Sequence, residues 1–273
     1  MAPSMADAEG AAPDPRAIEA LLAFWAEAGV DAALGDAPVD RLAPASPRPA
    51  PSESPPRPAA RAAAAASRPA PAPPSPAAVA APDLSALEAA VAAFEGCALR
   101  SGSAPPVFAR PAARTDVVVV AEAPTAEDEA GAAPFEGPAG ALVRALLTHA
   151  GLGDRALFTQ TVFWRPPGGG APSPIDQAAC LPFLERLIAL SRPRALLVMG
   201  EAAGRGLLGA REPILKSRGG WTEWRARHEP DLALPAMPTL SPAFILARPP
   251  LRAAAWGDIL SLAARVDREG SGP

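Results

Sequence analysis

Glu122 stands one residue beyond the apolar run Asp116 to Val120, second in the segment AEAPTAEDEAGAAPFEGPAG. A carboxylate at that junction is held at the edge of a sheet, where a water or a sugar can reach it. Phe135 lies in the same segment, between Pro134 and Glu136 and just ahead of a helix start. It would set a ring for stacking beside helix N-terminal amides that suit an anion or a carbonyl-rich heterocycle. Gln160 falls near the working end of a second apolar run, in FTQTVFWRPPGGGAPSP. Its amide donates and accepts at once, as reading one edge of a pyrimidine requires. Arg165 in the RPPG turn, Arg218 beside Gly219 and Gly220, and Arg248 suit phosphate contacts. The plainer readings stay open: Glu122 as a loop carboxylate or helix cap, Phe135 as a lid on the core, Gln160 as a tie between loops, and Arg165 as part of a rigid surface turn. Trp221 and Trp224 fit groove anchors or core packing equally. The glycine spacing of a phosphate-cradling nucleotide loop is absent.

These residues need a scaffold, and the apolar pattern supplies one. Helices are expected from Asp83 to Phe94, from about Pro138 to Ala150, from Pro174 to Leu190, from Glu201 to Leu208 and from Leu251 to Val266. Strands are expected at Asp116–Val120, Ala156–Phe163, Ala195–Met199 and Ala236–Leu240. Strands alternating with helices predict an α/β fold, a three-layer αβα sandwich around a mostly parallel four-stranded central sheet. Working residues then collect at the carboxyl ends of the strands, in segments 121–140, 158–174, 200–221 and 240–249.

Only residues 83–268 have this character. Residues 1–40 read as an extension whose segment 14–28 puts Ile18, Leu21, Leu22 and Trp25 on one helical face, either docked on the main domain or binding a protein partner. Between Pro44 and Pro82 there are 13 prolines in 39 residues, and the segment 41–82 reads as a disordered Pro/Ala-rich linker. Residues 269–273 are a tail. The net charge of -4 argues against a strongly basic coat for nucleic acid but leaves room for a local patch. Two cysteines, no basic-plus-apolar leader and no long apolar segment predict a soluble cytoplasmic protein with reduced thiols and no membrane span, with a monomer as the default.

The order of AEAPT, PFEGPAG, RPPG, IDQAACLPFLERLI, RPRALLVMG, KSRGGW and LSPAFILARPP resembles the uracil-DNA glycosylase superfamily, in particular its bacterial iron-sulfur, thermophile-like branch, over about residues 84–266. The resemblance implies a DNA partner presenting a flipped-out damaged base. In that family the acid matching Glu122 handles the attacking water and the phenylalanine matching Phe135 stacks on uracil. An asparagine reads the base edge where this chain has Gln160, and a histidine before a proline supports the leaving base where this chain has Ser241. The family loop's flanking glycines are here Ala121 and Thr125. The branch holds its cluster with four cysteines, of which this chain keeps Cys97 and Cys180 and has Arg100 and Trp164 at the other two. Two thiolates cannot satisfy four-cysteine ligation, so neither that cluster nor another cofactor is expected; Trp164 and Arg100 would instead fill the vacated volume.

Those replacements bear on turnover. Losing one good donor to a departing anion costs about 3 kcal/mol, and moving a reading group by roughly 1 Å can cost about a hundredfold. His149 and His228 offer no evident rescue. Three readings follow: a glycosylase for uracil or another damaged base with altered or weak catalysis, a DNA- or protein-binding module retaining the fold, and an unrelated hydrolase in the same cleft.

Overall fold

A computed structural model describes residues 80–100, 105–229 and 231–270. The amphipathic segment 14–28 and nearly all of the proline-rich stretch lie outside the described residues.

Helix α1 (Leu84–Ala93) is capped by Asp83, whose carboxylate accepts from the Ala86 amide at 2.8 Å. Strand β1 (Val117–Ala121) follows, then a short helix α2 (Ala126–Gly131), helix α3 (Gly137–His149) and strand β2 (Ala156–Gln160). Helix α4 (Pro174–Ser191) leads to strand β3 (Ala195–Met199), helix α5 (Glu201–Leu208) and a single turn α6 (Ile214–Ser217). Strands β4 (Thr222–Arg225) and β5 (Ala233–Thr239), helix α7 (Pro242–Ala247) and helix α8 (Arg252–Gly270) complete the order.

The sheet has five strands in the order β2-β1-β3-β5-β4, which corrects the expected four. The first four are parallel and β4 runs antiparallel to β5, pairing Thr222 with Ala236 and Arg225 with Ala233. The physical reason for the omission lies in the edge position of β4. A parallel strand covered on both faces reads as a continuous apolar block, whereas β4 is Thr-Glu-Trp-Arg with only Trp224 buried. Pro235 likewise hid the first half of β5.

Alternation along β1 builds two cores from one run of valines. Val118 and Val120 join Leu157, Leu196 and Val198 on the face covered by α1, α4 and α5. Val117 and Val119 join Leu197 and Met199 on the face covered by α3, α7 and α8. Among the described residues no helix is long and apolar enough to cross a membrane.

Much of the arginine content serves this framework. Asp116, at the entry to β1, receives Arg114 at 3.1 Å and Arg155 at 2.7 Å, with Arg194 at 3.4 Å. At the outer edge of β2, Arg110 and Phe158 exchange both backbone hydrogen bonds, at 2.9 and 3.0 Å.

Candidate active site

Parallel strands deliver their last residues to one end of the sheet, and there a cleft of about 550 Å³ opens. Glu122 enters it from the end of β1, Gln160 from the end of β2, and Ser241 from the turn between β5 and α7. Phe135 reaches it from the loop between α2 and α3, and Arg165 from the turn after β2.

Glu122 is partly buried, and its Oε1 accepts the Ala202 amide at 2.7 Å in the first turn of α5. Burial raises the carboxyl above its ordinary pKa and the neighbouring Glu201 adds to the rise, while the Ala202 amide opposes it. Gly200 makes this approach possible: its φ is +104°, and a Cβ there would stand 2.5 Å from the Glu122 carboxyl carbon. The Glu122 carbonyl accepts from Thr161 Oγ1 at 2.6 Å. The amide of Gln177 then reaches both Thr161 Oγ1 at 3.2 Å and the Ala202 carbonyl at 3.1 Å.

The group that organises the cleft is Asp128, which the sequence reading passed over. It is 2% exposed. Its Oδ2 accepts from the Thr125 amide and from Gln160 Nε2, both at 2.9 Å, and its Oδ1 accepts from the Glu136 amide at 2.7 Å. One carboxylate thereby ties the acid loop, the phenylalanine loop and the end of β2. A local signal was present: Thr125 and Asp128 have capping-box spacing, and the Thr125 hydroxyl accepts from the Asp128 amide at 3.2 Å. Thr125 thus caps α2, which a glycine could not do with a side chain.

Asp128 also decides which way the Gln160 amide faces, because the opposite orientation would turn a carbonyl oxygen on a carboxylate. Gln160 Oε1 is left buried and without a partner. Among the described residues the other buried side-chain polar atom in that condition is Arg165 Nε, so both unmatched atoms belong to residues lining this cleft. Arg165 Nη1 lies 3.5 Å from Glu129.

Phe135 has a φ of +62°, a region that non-glycine residues seldom adopt. Its backbone is held from two sides: Arg110 Nε donates to the Pro134 carbonyl at 3.3 Å and the Arg110 guanidinium pairs with Glu136, while Asp128 takes the Glu136 amide. The ring packs on Phe158 with centroids 4.9 Å apart. Gly140, in the first turns of α3, receives the Phe135 carbonyl so closely that a Cβ would meet it at 2.0 Å. Gly140→Ala is therefore expected to displace the phenylalanine loop at a cost of about 2 kcal/mol or more. Urea unfolding of the variant checks this, and an unchanged midpoint would refute the contact.

The other expected positions fall differently. Arg218 forms a fork with Asp258, at 3.0 and 2.6 Å, and also donates to the Ala254 carbonyl. Asp258 accepts from Thr239 Oγ1 at 2.6 Å as well, so Asp258 ties α8 both to β5 and to the loop that carries Arg218. Arg248 is exposed and its guanidinium lies 4.7 Å over the Phe244 ring. Trp221 packs under Arg265 at 4.6 Å, and Trp224 is buried. His149 bonds to its own helix at Ala145, and His228 bonds to Glu185 at 2.7 Å; neither lines the cleft.

Cys97 and Cys180 are buried in one core, with sulfurs 3.8 Å apart. Trp164 is buried in the same core, set edge-on to Phe163. Arg100 instead caps the end of α1, donating to the Phe94 carbonyl at 3.0 Å. With two cysteines in the whole sequence, and with a capping arginine and a packed tryptophan at the other two positions, the chain does not fit a four-cysteine cluster.

Comparison with known proteins agrees with this arrangement. Residues 108–260 match the model of the uracil DNA glycosylase superfamily. A type-4 uracil-DNA glycosylase of Pyrobaculum aerophilum is 38% identical over 94 residues, 34% of this chain and 47% of that protein. Its counterpart in Thermotoga maritima is 31% identical over 134 residues, 48% of this chain and 67% of that protein. The type-4 enzyme of Saccharolobus solfataricus is 30% identical over 145 residues, 51% of this chain and 66% of that protein. The aligned regions thus span about half to two thirds of these relatives. The family match takes in the strand ends that bear Glu122, Gln160 and Ser241 together with the Phe135 loop, and this chain belongs to the uracil DNA glycosylase superfamily, in its type-4 branch.

Proposed function

We propose that this protein hydrolyses the N-glycosidic bond of uracil or another damaged base in DNA, with catalysis altered by Gln160 and Ser241. The observation that carries the reading is the convergence of Glu122, Phe135, Gln160 and Ser241 on one cleft at the carboxyl end of a parallel sheet. Each then has a distinct task. Phe135 forms an apolar wall for the ring of a base taken out of the stack. The unmatched Gln160 oxygen suits an N–H on the base edge, and the unmatched Arg165 N–H suits an oxygen. Glu122, ionised, orients a water and balances the positive character that develops on the sugar. Ser241 has no capping bond through its side chain, so its hydroxyl is available to the departing base oxygen. Arg165 and exposed Arg248 are proposed phosphate contacts on the DNA strand. Arg218 is omitted from that set because Asp258 and Ala254 occupy its fork.

A binding module without turnover is the second reading, favoured by one observation: Glu122 and Gln160 are both engaged with protein partners, Ala202 and Asp128. Base release from single-stranded and duplex oligonucleotides carrying uracil, hypoxanthine or xanthine separates the two. Release is expected from the parent protein, and Ser241→His is expected to raise the rate by about tenfold to a hundredfold by restoring a stronger donor. Retention of labelled DNA without any release would abandon the enzyme and leave the binding module. Neither release nor retention would end both readings.

A further inference from the structure

Two thiols that do not fit the family's metal cluster still lie within reach of each other. Cys97 and Cys180 are 83 positions apart in sequence, and Cys180 Sγ donates to Cys97 Sγ across 3.8 Å. A disulfide needs about 2.05 Å, so closure requires each sulfur to move by about 1 Å. The pair is set in a way that permits this. Cys180 is on the body of α4, whereas Cys97 occupies a turn closed by the Arg100 amide on the Cys97 carbonyl at 3.1 Å, outside any helix.

We propose that Cys97 and Cys180 are a redox-modification site that closes to a disulfide when the protein meets a hydroperoxide. The Cys97 sulfur attacks one oxygen of hydrogen peroxide, the O–O bond breaks, and a sulfenic acid forms as the departing hydroxide takes a proton to leave as water. The Cys180 sulfur then attacks the sulfenic sulfur, the S–O bond breaks, and the Cys180 proton leaves with the hydroxyl as a second water. Two thiols have lost two electrons and two protons, and the peroxide has taken up both. The order of attack agrees with the hydrogen bond. Donation from Cys180 pulls the Cys97 thiol below its ordinary pKa in spite of burial, while the Cys180 thiol is pushed well up. Both sulfurs are buried, which favours a water-sized oxidant over a bulky disulfide.

The bond would join the turn after α1 to α4, one helical turn from Gln177. Gln177 holds Thr161 and Ala202, the two residues that bond to Glu122, so the cross-link would brace the element behind the acid. Oxidation of the cysteine pair is independent of which base the cleft accepts, or whether it turns over at all.

The full chain, treated with hydrogen peroxide while folded and then alkylated, is expected to lose about 2 Da and to yield a peptide joining Cys97 to Cys180. The melting temperature is expected to rise by about 5 to 10 °C and to return when dithiothreitol is added. Cys97→Ser should abolish both changes, and the reversal by reductant in the parent gives the same answer if that variant folds poorly. Thiols that remain reduced under peroxide, oxygen adducts without a cross-link, or a cross-link that lowers the melting temperature would each overturn the proposal.

Discussion

Asp128→Ala is expected to lower the unfolding free energy by about 3 to 5 kcal/mol, the largest stability loss of any single change in the cleft. Three donors would lose their acceptor at once: the Thr125 amide, the Glu136 amide and Gln160 Nε2. Gln160 Nε2 is a buried donor, and stranding it costs about 1 to 3 kcal/mol, while the partly buried Thr125 and Glu136 amides recover part of their loss from water. Asp128→Asn retains one carbonyl acceptor but turns an amide group on at least one donor, so about half the loss is expected. Urea unfolding monitored by tryptophan fluorescence checks both, and an alanine variant within about 1 kcal/mol of the parent would remove Asp128 from the role given to it. Where the weakened protein is still folded at low temperature, Gln160 and Phe135 lose their common tether, so affinity for a base-containing strand should fall as well.

Glu122→Gln has the largest expected effect on chemistry and acts on stability in the opposite direction. Removing a positioned base lowers base release by about a hundredfold to ten-thousandfold. Glutamine can still accept from the Ala202 amide, so the local geometry should persist. Burial lifts the folded-state pKa of Glu122 above that of the unfolded chain. The fold therefore prefers the protonated carboxyl: its contribution is full below the unfolded value and is lost as pH climbs through the folded value. The glutamine variant should match the parent in acid and exceed it in stability at neutral pH. An equal or lower stability of the variant at neutral pH would contradict the burial argument, whatever the protein's turnover. The same shift predicts that base release falls on acidification as the carboxylate takes up its proton.

Glu122 and Asp128 are unequally legible in the sequence. Glu122 follows a block of valines buried on both faces, and such a block is legible because a parallel strand needs no polar alternation. The same logic exposed β2 and β3. It failed at β4, where only Trp224 turns inward. Asp128 carried a capping-box signature with Thr125, but its bond to Gln160 joins residues 32 positions apart and depends on how β1 and β2 pair. Local spacing contains no information about such a contact. Arg218 illustrates the converse. Its neighbouring glycines suggested an open phosphate contact, and its partner Asp258, 40 positions downstream, is brought to it by the packing of α8. The cysteines divide the same way: their number was plain from the sequence, while their separation of 3.8 Å belongs to the packing of α4 against the turn after α1.

Arg110 belongs to two structures at once. Its backbone extends the sheet beyond β2 by bonding both ways to Phe158, and its side chain holds Pro134 and Glu136 on either side of Phe135. The Phe135 ring returns to pack on Phe158 itself. Fraying at that margin of the sheet would thus release the loop that carries the ring, making the two a single cooperative unit of local opening. Amide hydrogens at Arg110 and Phe158 would exchange with solvent through the same event that frees the aromatic wall, so protection at the sheet margin becomes a measure of how often that wall is missing.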